Sequence, residues 1–249
     1  MTLADAVVLV AAGAAAGVVS TVASLASVVS YPVLLALGLP PLSANVTNTV
    51  SLLFTGAGAA AGSRPELTGQ GRRVLRLGLI TAAGGAAGAG LLLVTGARAF
   101  EAAAPVLIGM ASLVLLLPQR RLLAVDQDRE RSPLLLAGLL AVAVYVGYFG
   151  AAGGILLLAI LTAMLTESLA RTNAVKNVIN GFANGVAAVG FALFGPVDWA
   201  AVGPLAAGFL IGGWAGPKLV RRLPGQSLRY LVGAAGLAVA AWLGTTAYR

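Results

Sequence analysis

The sequence predicts an all-α polytopic membrane protein built from two inverted-topology repeats. Hydrophobic residues make up 59% of the 249 residues, charged residues only 10%, and the mean hydropathy is +0.95. Similar residues recur at a fixed offset of 128, and the basic residues alternate between corresponding loops of the two halves. Each repeat is therefore expected to hold about five hydrophobic helical elements, including broken or re-entrant half-helices.

The composition excludes several classes of protein. A soluble domain of this length would need a polar shell that the chain lacks. There is no cysteine and no histidine, which excludes disulfides and histidine-based metal sites, so no cofactor is expected. The acidic residues all map to loops or helix ends. Acid–base catalysis inside the membrane therefore lacks a base, and the chain is not expected to be an enzyme.

The formal net charge of +8 has two interpretations. Nucleic-acid binding is one, but the arginines stand between apolar segments. Lys and Arg mark the cytoplasmic side of short membrane loops, which is the second interpretation. We therefore expect a multi-pass protein of the cytoplasmic (inner) membrane, with the lipid bilayer as its partner and no nucleic acid.

The apolar segments define the elements in chain order. The N-terminal run MTLADAVVLV has no basic residue before its apolar part, so it is interpreted as a membrane segment rather than a signal peptide. The first half is predicted to hold segments at 3–25, 28–39, 42–62, 74–96 and 102–117. The second half is predicted to hold segments at 133–148, 153–165, 173–195, 199–219 and 228–247.

Two of these segments, 28–39 and 153–165, are short. A straight helix needs about 20 residues to cross the hydrocarbon core. The short segments fit half-helices or the arms of re-entrant hairpins, which are tolerated where protein or a wet cavity covers the freed backbone.

The repeat divides the chain into a first membrane repeat at 1–118, a cytoplasmic linker at 119–132 and a second membrane repeat at 133–249. The matching residues include Asn45 and Asn173, Phe54 and Phe182, and Gly62 and Gly190. Residues 63–74 contain three arginines, whereas the only charged residue at 191–202 is Asp198. In the next pair of corresponding stretches the basic residues lie in the second half instead. Placing the basic loops inside puts corresponding loops on opposite faces and both termini outside.

Neutral polar residues cluster at the helix breaks of both halves and form the candidate substrate-binding site. The first half contributes Ser24, Ser27, Thr47, Asn48 and Ser51. The second half contributes Gly150, Gly153, Gly154, Asn173, Lys176, Asn177 and Asn180. Half-helix N-termini offer free N–H groups and a positive dipole end, so such breaks can bind an anion without formal charge.

The amides of the second half are regularly spaced. Asn173, Asn177, Asn180 and Asn184 share one helical face. Exposing four amide groups to lipid would cost free energy, so we expect this face of the helix to meet a cavity or a partner helix. The alternative is that these side chains only hydrogen-bond neighbouring helices. For Lys176, the one cation of the cluster, the alternative is snorkelling to the cytoplasmic interface.

Five stretches follow one another in a recognisable order and spacing. They are LGLPP at 37–41, ANVTN at 44–48, GYFGAAGG at 147–154, TNAVKNVIN at 172–180 and GFLIGGWAGPKL at 208–219. They resemble the sulfite exporter TauE/SafE family, and the resemblance covers essentially the whole chain. It implies an inner-membrane transporter of two homologous halves that moves sulfite or small organosulfur anions, typically outward. The run ASLASVVS at 23–30 stands where the family usually carries glycines, and its hydroxyls could add donors for an oxyanion or alter selectivity.

The sequence therefore predicts a membrane transporter for a small anion, namely sulfite, thiosulfate or an organosulfonate, that exports it by alternating access. A passive anion channel is one alternative. A membrane subunit with no transport activity of its own is the other. A homo-oligomer is left open.

Overall fold

The structure is a computed structural model that describes residues 1–23, 26–116, 129–151 and 153–220, together with Leu237 and Ala241. Its helices are α1 (Leu3–Ala23), α2 (Ala26–Ala36), α3 (Pro41–Gly62), α4 (Arg64–Leu67), α5 (Gly71–Thr95), α6 (Ala97–Leu116), α7 (Pro133–Tyr148), α8 (Gly153–Met164), α9 (Leu169–Phe194) and α10 (Trp199–Val220). No strand occurs in these ranges, so the all-α prediction is confirmed. The predicted segment at 228–247 apart from Leu237 and Ala241, most of the linker and Ser24 lie outside the described residues.

Four described helices are long and apolar enough to cross a membrane. They are the segments Leu3–Thr21, Gly71–Thr95, Leu169–Phe194 and Trp199–Gly216. The chain is therefore a polytopic helical membrane protein, as its composition predicts. Helix α3 is of similar length but carries a run of polar residues, and every residue from Ala44 to Ser51 is buried. This part of α3 lies inside the bundle, whereas Phe54, further along the helix, is 43% exposed.

Proline and glycine set several of the helix ends. Pro41 and Pro133 occupy the first helical positions of α3 and α7, where a missing N–H costs nothing. Ser168 caps α9 by accepting a hydrogen bond from the backbone N–H of Arg171. Gly96 ends α5 at φ = 76°, in the left-handed region that glycine adopts readily.

The helices form two groups, and each group exchanges one helix with the other half of the chain. The α1 group consists of α1, α2 and α3 packed with α10 from the second half. The α7 group consists of α7, α8 and α9 packed with α5 from the first half. The two groups meet chiefly where α3 crosses α9. Neither half can bury its own helices alone, so the halves fold as one unit.

The starts of two helices and two of the packing contacts repeat at the offset of 128. Helices α3 and α5 begin at Pro41 and Gly71, and α9 and α10 begin at Leu169 and Trp199. A Cβ placed on Gly213 of α10 would lie 2.8 Å from the carbonyl oxygen of Thr55 in α3. A Cβ on Gly85 of α5 would meet the carbonyl oxygen of Ala183 in α9. The second contact therefore repeats the first at the offset of 128, and at each contact the backbone of one helix touches the backbone of the other.

Helices α7 and α8 form a hairpin whose two ends lie on one face of the molecule. The backbone N–H of Arg129, just before α7, donates to the carbonyl oxygen of Met164 at the end of α8, at 2.9 Å. Helix α8 has 12 residues, which rise about 18 Å, less than the ~30 Å hydrocarbon core. Thus α8 is a half-helix that returns to the face where α7 begins.

Candidate functional site

A small polar cavity lies where the α1 group meets the α7 group. It is lined by Ser20, Thr21, Leu52, Thr55, Gly56, Ala59, Asn177, Asn180, Gly181 and Asn184. These residues come from α1, α3 and α9, so the cavity lies between the two halves of the chain. Six of the lining residues are neutral and polar, and none carries a carboxylate. Hydroxyl and amide groups can donate hydrogen bonds to an anion without a repelling charge.

Thr55 carries the strongest sign that the cavity binds something. Its side chain is 5% exposed, and its hydroxyl has no hydrogen-bond partner among the described residues. A buried polar group without a partner costs about 1–3 kcal/mol. Other hydroxyls of α3 are satisfied locally: Thr49 donates to the carbonyl oxygen of Asn45 at 3.0 Å. The hydroxyl of Thr55 is thus available to water or to a ligand in the cavity.

The amides of α9 supply the opposite wall. The amide nitrogen of Asn184 donates to the carbonyl oxygen of Asn180 at 3.0 Å, which leaves its second N–H for another acceptor. Asn177 and Asn180 precede it on the same helical face. The cavity encloses about 30 Å³, room for about two waters. An anion with four or more heavy atoms would require α3 and α9 to move apart.

Two glycines form a thin wall beside the cavity. Gly56 and Gly181 line both the polar cavity and an apolar groove of about 540 Å³ on the other side. A Cβ on Gly56 would lie 3.6 Å from the Cα of Gly181, and a Cβ on Gly181 would meet nothing within 4 Å. The crossing of α3 and α9 therefore has room for a Cβ at either glycine, in ordinary van der Waals contact at Gly56 and in open space at Gly181.

The Ser27–Ser30–Asn48 cluster links α2 to α3. The hydroxyl of Ser30 donates to Asn48 Oδ1 at 2.6 Å, and Asn48 Nδ2 donates to the hydroxyl of Ser27 at 3.1 Å. All three side chains are buried. Ser30 therefore bonds the oxygen of the Asn48 amide and Ser27 accepts one of its two N–H groups, so the serines fix the orientation of the amide.

Two further predicted site residues also hydrogen-bond within the protein. The hydroxyl of Thr47 accepts from the backbone N–H of Asp198 at 2.9 Å, which ties α3 to the loop before α10. The hydroxyl of Ser51 donates to the carbonyl oxygen of Thr47 at 2.9 Å. Neither residue lines the polar cavity.

The predicted glycines lie at the tip of the α7–α8 hairpin. Gly150 has φ = 76°, which turns the chain after α7, and the N–H of Gly153 donates to the carbonyl oxygen of Gly150 at 3.1 Å. Gly153 and Gly154 are buried at the start of α8. The tip is fixed to the first half, because Asn45 Nδ2 donates to the carbonyl oxygen of Tyr148 at 3.2 Å.

Lys176 is buried in the interior, with 1% of its surface exposed. Its side chain therefore does not extend to an exposed surface, as snorkelling would require. It directly precedes Asn177 on α9 and lies to one side of the cavity face. Asn173 is half-buried one turn before Asn177. Neither Lys176 nor Asn173 lines the polar cavity.

Of the predicted site residues that the structure describes, Asn177 and Asn180 line the cavity. The others lie outside its lining, on α2, α3, α8, α9 and the turn before α8, and their part in binding stays a prediction. The cavity adds Thr55, which sequence reasoning missed, and it brings in Ser20, Thr21 and Asn184. The missing signal was spacing: Thr55 is seven residues after Asn48 and so shares its helical face.

The fold and the cavity define the class of the protein first. It is a polytopic helical membrane protein whose two halves enclose a polar, carboxylate-free cavity. The model of the sulfite exporter TauE/SafE family matches residues 9–243, so the chain belongs to that family. This is a family of membrane transporters of sulfur anions, which disfavours an enzymatic function. No match was found among curated proteins or among solved structures.

Proposed function

We propose that the chain exports sulfite, thiosulfate or a small organosulfonate across the cytoplasmic membrane through the cavity between α1, α3 and α9. The unsatisfied hydroxyl of Thr55 is the observation that supports this most directly. A cavity with a purely structural role would have its buried donors paired within the protein. Here a buried donor and the amides of α9 face the same space.

The residues of the cavity would replace the water around the anion. Thr55 and the amides of Asn177, Asn180 and Asn184 would donate hydrogen bonds to its oxygens. Lys176, next to this face, would favour negative charge over neutral solutes. Ser24, Ser27, Thr47, Asn48, Ser51 and Asn173, with the hairpin glycines Gly150, Gly153 and Gly154, would contact the anion as it moves along the path.

Alternating access accounts for the size of the cavity. Because about 30 Å³ is too small for the anion, the α1 group and the α7 group must separate at the α3–α9 crossing to load it. A cavity of this size is not a continuous pore, which favours a transporter over a passive channel. The inside-negative potential contributes roughly 2.3 kcal/mol per charge per 100 mV to anion export, so the potential could drive it.

The inverted topology is part of the proposal. It rests on the alternating basic loops and on the packing contacts repeated at the offset of 128. Arg72 and Ala200 are exposed, lie in the first turns of α5 and α10, and are related by that offset. The chain has no cysteine, so Arg72→Cys and Ala200→Cys each provide a unique label. In intact cells a membrane-impermeant maleimide should label Ala200→Cys and not Arg72→Cys; the same accessibility at both would contradict inversion.

Flux into proteoliposomes tests the function. Sulfite, thiosulfate, sulfate, sulfoacetate and chloride would be compared under an imposed potential of either sign, with protein-free liposomes as the control. We expect saturable flux of at least one sulfur anion and none of chloride. Flux that rises linearly with concentration would indicate a channel. No flux for any anion would leave a subunit without transport activity of its own.

A further inference from the structure

A second cavity, with no lining residue in common with the polar one, lies at the arginine-rich end of the α7 group. It encloses about 490 Å³ and is lined by Gly69, Gln70, Arg72, Arg73, Arg76, Glu130, Arg131, Glu167 and Arg171. Five arginines against two glutamates leave a formal excess of three positive charges. Helices α5, α7 and α9 all begin at this end, and the positive ends of their dipoles add to the field.

Ion pairs organise part of this arginine cavity. Arg73 and Arg76 both pair with Glu130, and Arg73 also pairs with Glu167 at 2.9 Å. Glu167 in turn pairs with Arg171 at 2.9 Å. The network joins α5, the end of the linker and the α8–α9 loop, so it fixes the walls of the cavity.

The network leaves donors unused. Arg72 and Arg131 line the cavity but take part in none of the ion pairs found among the described residues. The Nε of Arg76 is buried and donates no hydrogen bond to a described group. Guanidinium groups bind phosphate and sulfur oxyanions through paired N–H donors. The two glutamates therefore neutralise only part of the positive charge of the cavity and occupy only part of its N–H donors.

The surface beside the cavity is apolar. Arg72, Arg76, Leu75 and Leu79 lie on one face of α5, at i, i+4, i+3 and i+7. Leu75 is 56% exposed and Leu79 is 59% exposed. A ligand with an anionic head and an apolar tail would place its head on the arginines and its tail along the leucines. Basic cavities between membrane helices bind anionic lipid head groups in this way.

We propose that the arginine cavity binds an oxyanion of phosphorus or sulfur, and that the phosphate of an anionic phospholipid is its occupant. A free oxyanion from solution shares the same chemistry and is the other source. The exposed leucines favour the lipid, because a free oxyanion gains nothing from them.

Binding to the purified full-length protein in detergent tests this proposal. The probes are dioctanoyl phosphatidylglycerol, zwitterionic dioctanoyl phosphatidylcholine, inorganic phosphate and sulfite, each titrated by calorimetry. The double variant Arg72→Gln/Arg131→Gln removes the two unpaired arginines and keeps the ion-pair network. The matched control is Arg98→Gln, an exposed arginine in the first turn of α6. Melting temperatures establish that both variants are folded.

We expect phosphatidylglycerol to bind at one site, and its dissociation constant to rise about 30-fold in the double variant, since each arginine contributes about a factor of five. Arg98→Gln and Asn180→Ala should bind phosphatidylglycerol like the parent protein, because neither residue lines the arginine cavity. Arginine-dependent binding of phosphate or sulfite without lipid would support the oxyanion site and assign it to a free ligand. Equal binding of the two phospholipids, or no effect of the double variant on any probe, would overturn the proposal. The readout is binding, so it is independent of whether the protein transports sulfite.

Discussion

The two halves of this protein share a scaffold but differ in chemistry at its centre. Asn48 of α3 and Lys176 of α9 occupy the same position at the offset of 128, and both are 1% exposed. Asn48 is held by Ser27 and Ser30 of α2. The positions that correspond to these serines are Ile155 and Leu158 in α8, which cannot accept a hydrogen bond from Lys176.

The two halves are alike in their helix packing and differ in the side chains at the α3–α9 crossing. The Gly85–Ala183 and Gly213–Thr55 contacts are nearly equivalent, because both serve the same backbone-to-backbone packing. At the α3–α9 crossing one half supplies a neutral amide, while the other half supplies a cation and three cavity-lining asparagines. Symmetric packing would thus build the bundle, and asymmetric side chains would select an anion.

The largest expected effect comes from breaking the shared scaffold. Gly85→Val and Gly213→Val each drive side-chain atoms into a backbone carbonyl, so we expect each to lower the free energy of unfolding by about 3 kcal/mol. Thermal unfolding in detergent measures this loss of stability. Gly90→Val is the control on α5, because a Cβ there meets nothing within 4 Å. A large loss at Gly85 with none at Gly213 would show that the two contacts are not equivalent.

The next largest effect should follow removal of the central cation. Lys176→Met keeps the length of the side chain and removes the charge. Lys176 lies beside the cavity rather than in its lining, and at an effective dielectric constant of about 20 such a charge is worth about 2 kcal/mol to an anion, so sulfur-anion flux should fall roughly 10- to 100-fold. The melting temperature is measured in parallel, so that a loss of flux is separated from a loss of the fold. Arg98→Met, at an exposed site, is the control. Unchanged flux for Lys176→Met would assign the lysine to the fold.

Asn48→Ala tests the residue of the first half that corresponds to Lys176. It removes both hydrogen bonds to the α2 serines, so we expect a loss of about 1–3 kcal/mol in stability. The KM of the folded fraction should change by less than about threefold, since Asn48 does not line the polar cavity. Thermal unfolding and flux normalised to folded protein separate the two effects. A rise in KM as large as that of Lys176→Met would place Asn48 in the substrate site.

Much of the fold could be predicted from the sequence, because bilayer thickness and hydropathy constrain helices strongly. The predicted segment at 199–219 matches α10, and the short segment at 153–165 matches the half-helix α8. The exchange of α5 and α10 between the two groups could not be predicted. It depends on which small residues face each other, and glycines such as Gly85 and Gly213 show their partners only in three dimensions.

Part of the candidate site could be predicted, because the spacing of its residues places them on one helical face. Asn177 and Asn180 were found because four amides on one helical face stand out in an apolar chain. Thr55 was missed because a single threonine in a helix usually bonds the preceding turn, as Thr49 does. Its lack of a partner is a property of the packed structure and leaves no trace in the sequence.

The most direct test of the central claim compares two threonines of α3. Thr55→Val removes a hydroxyl without a partner, whereas Thr49→Val removes one that bonds Asn45. If the cavity binds the anion, Thr55→Val should raise the KM of sulfur-anion flux roughly five- to tenfold, the loss of about one hydrogen bond. Its stability should not fall, and Thr49→Val should leave the KM unchanged. An unchanged KM for Thr55→Val, with flux intact, would contradict the assignment of this cavity as the substrate site.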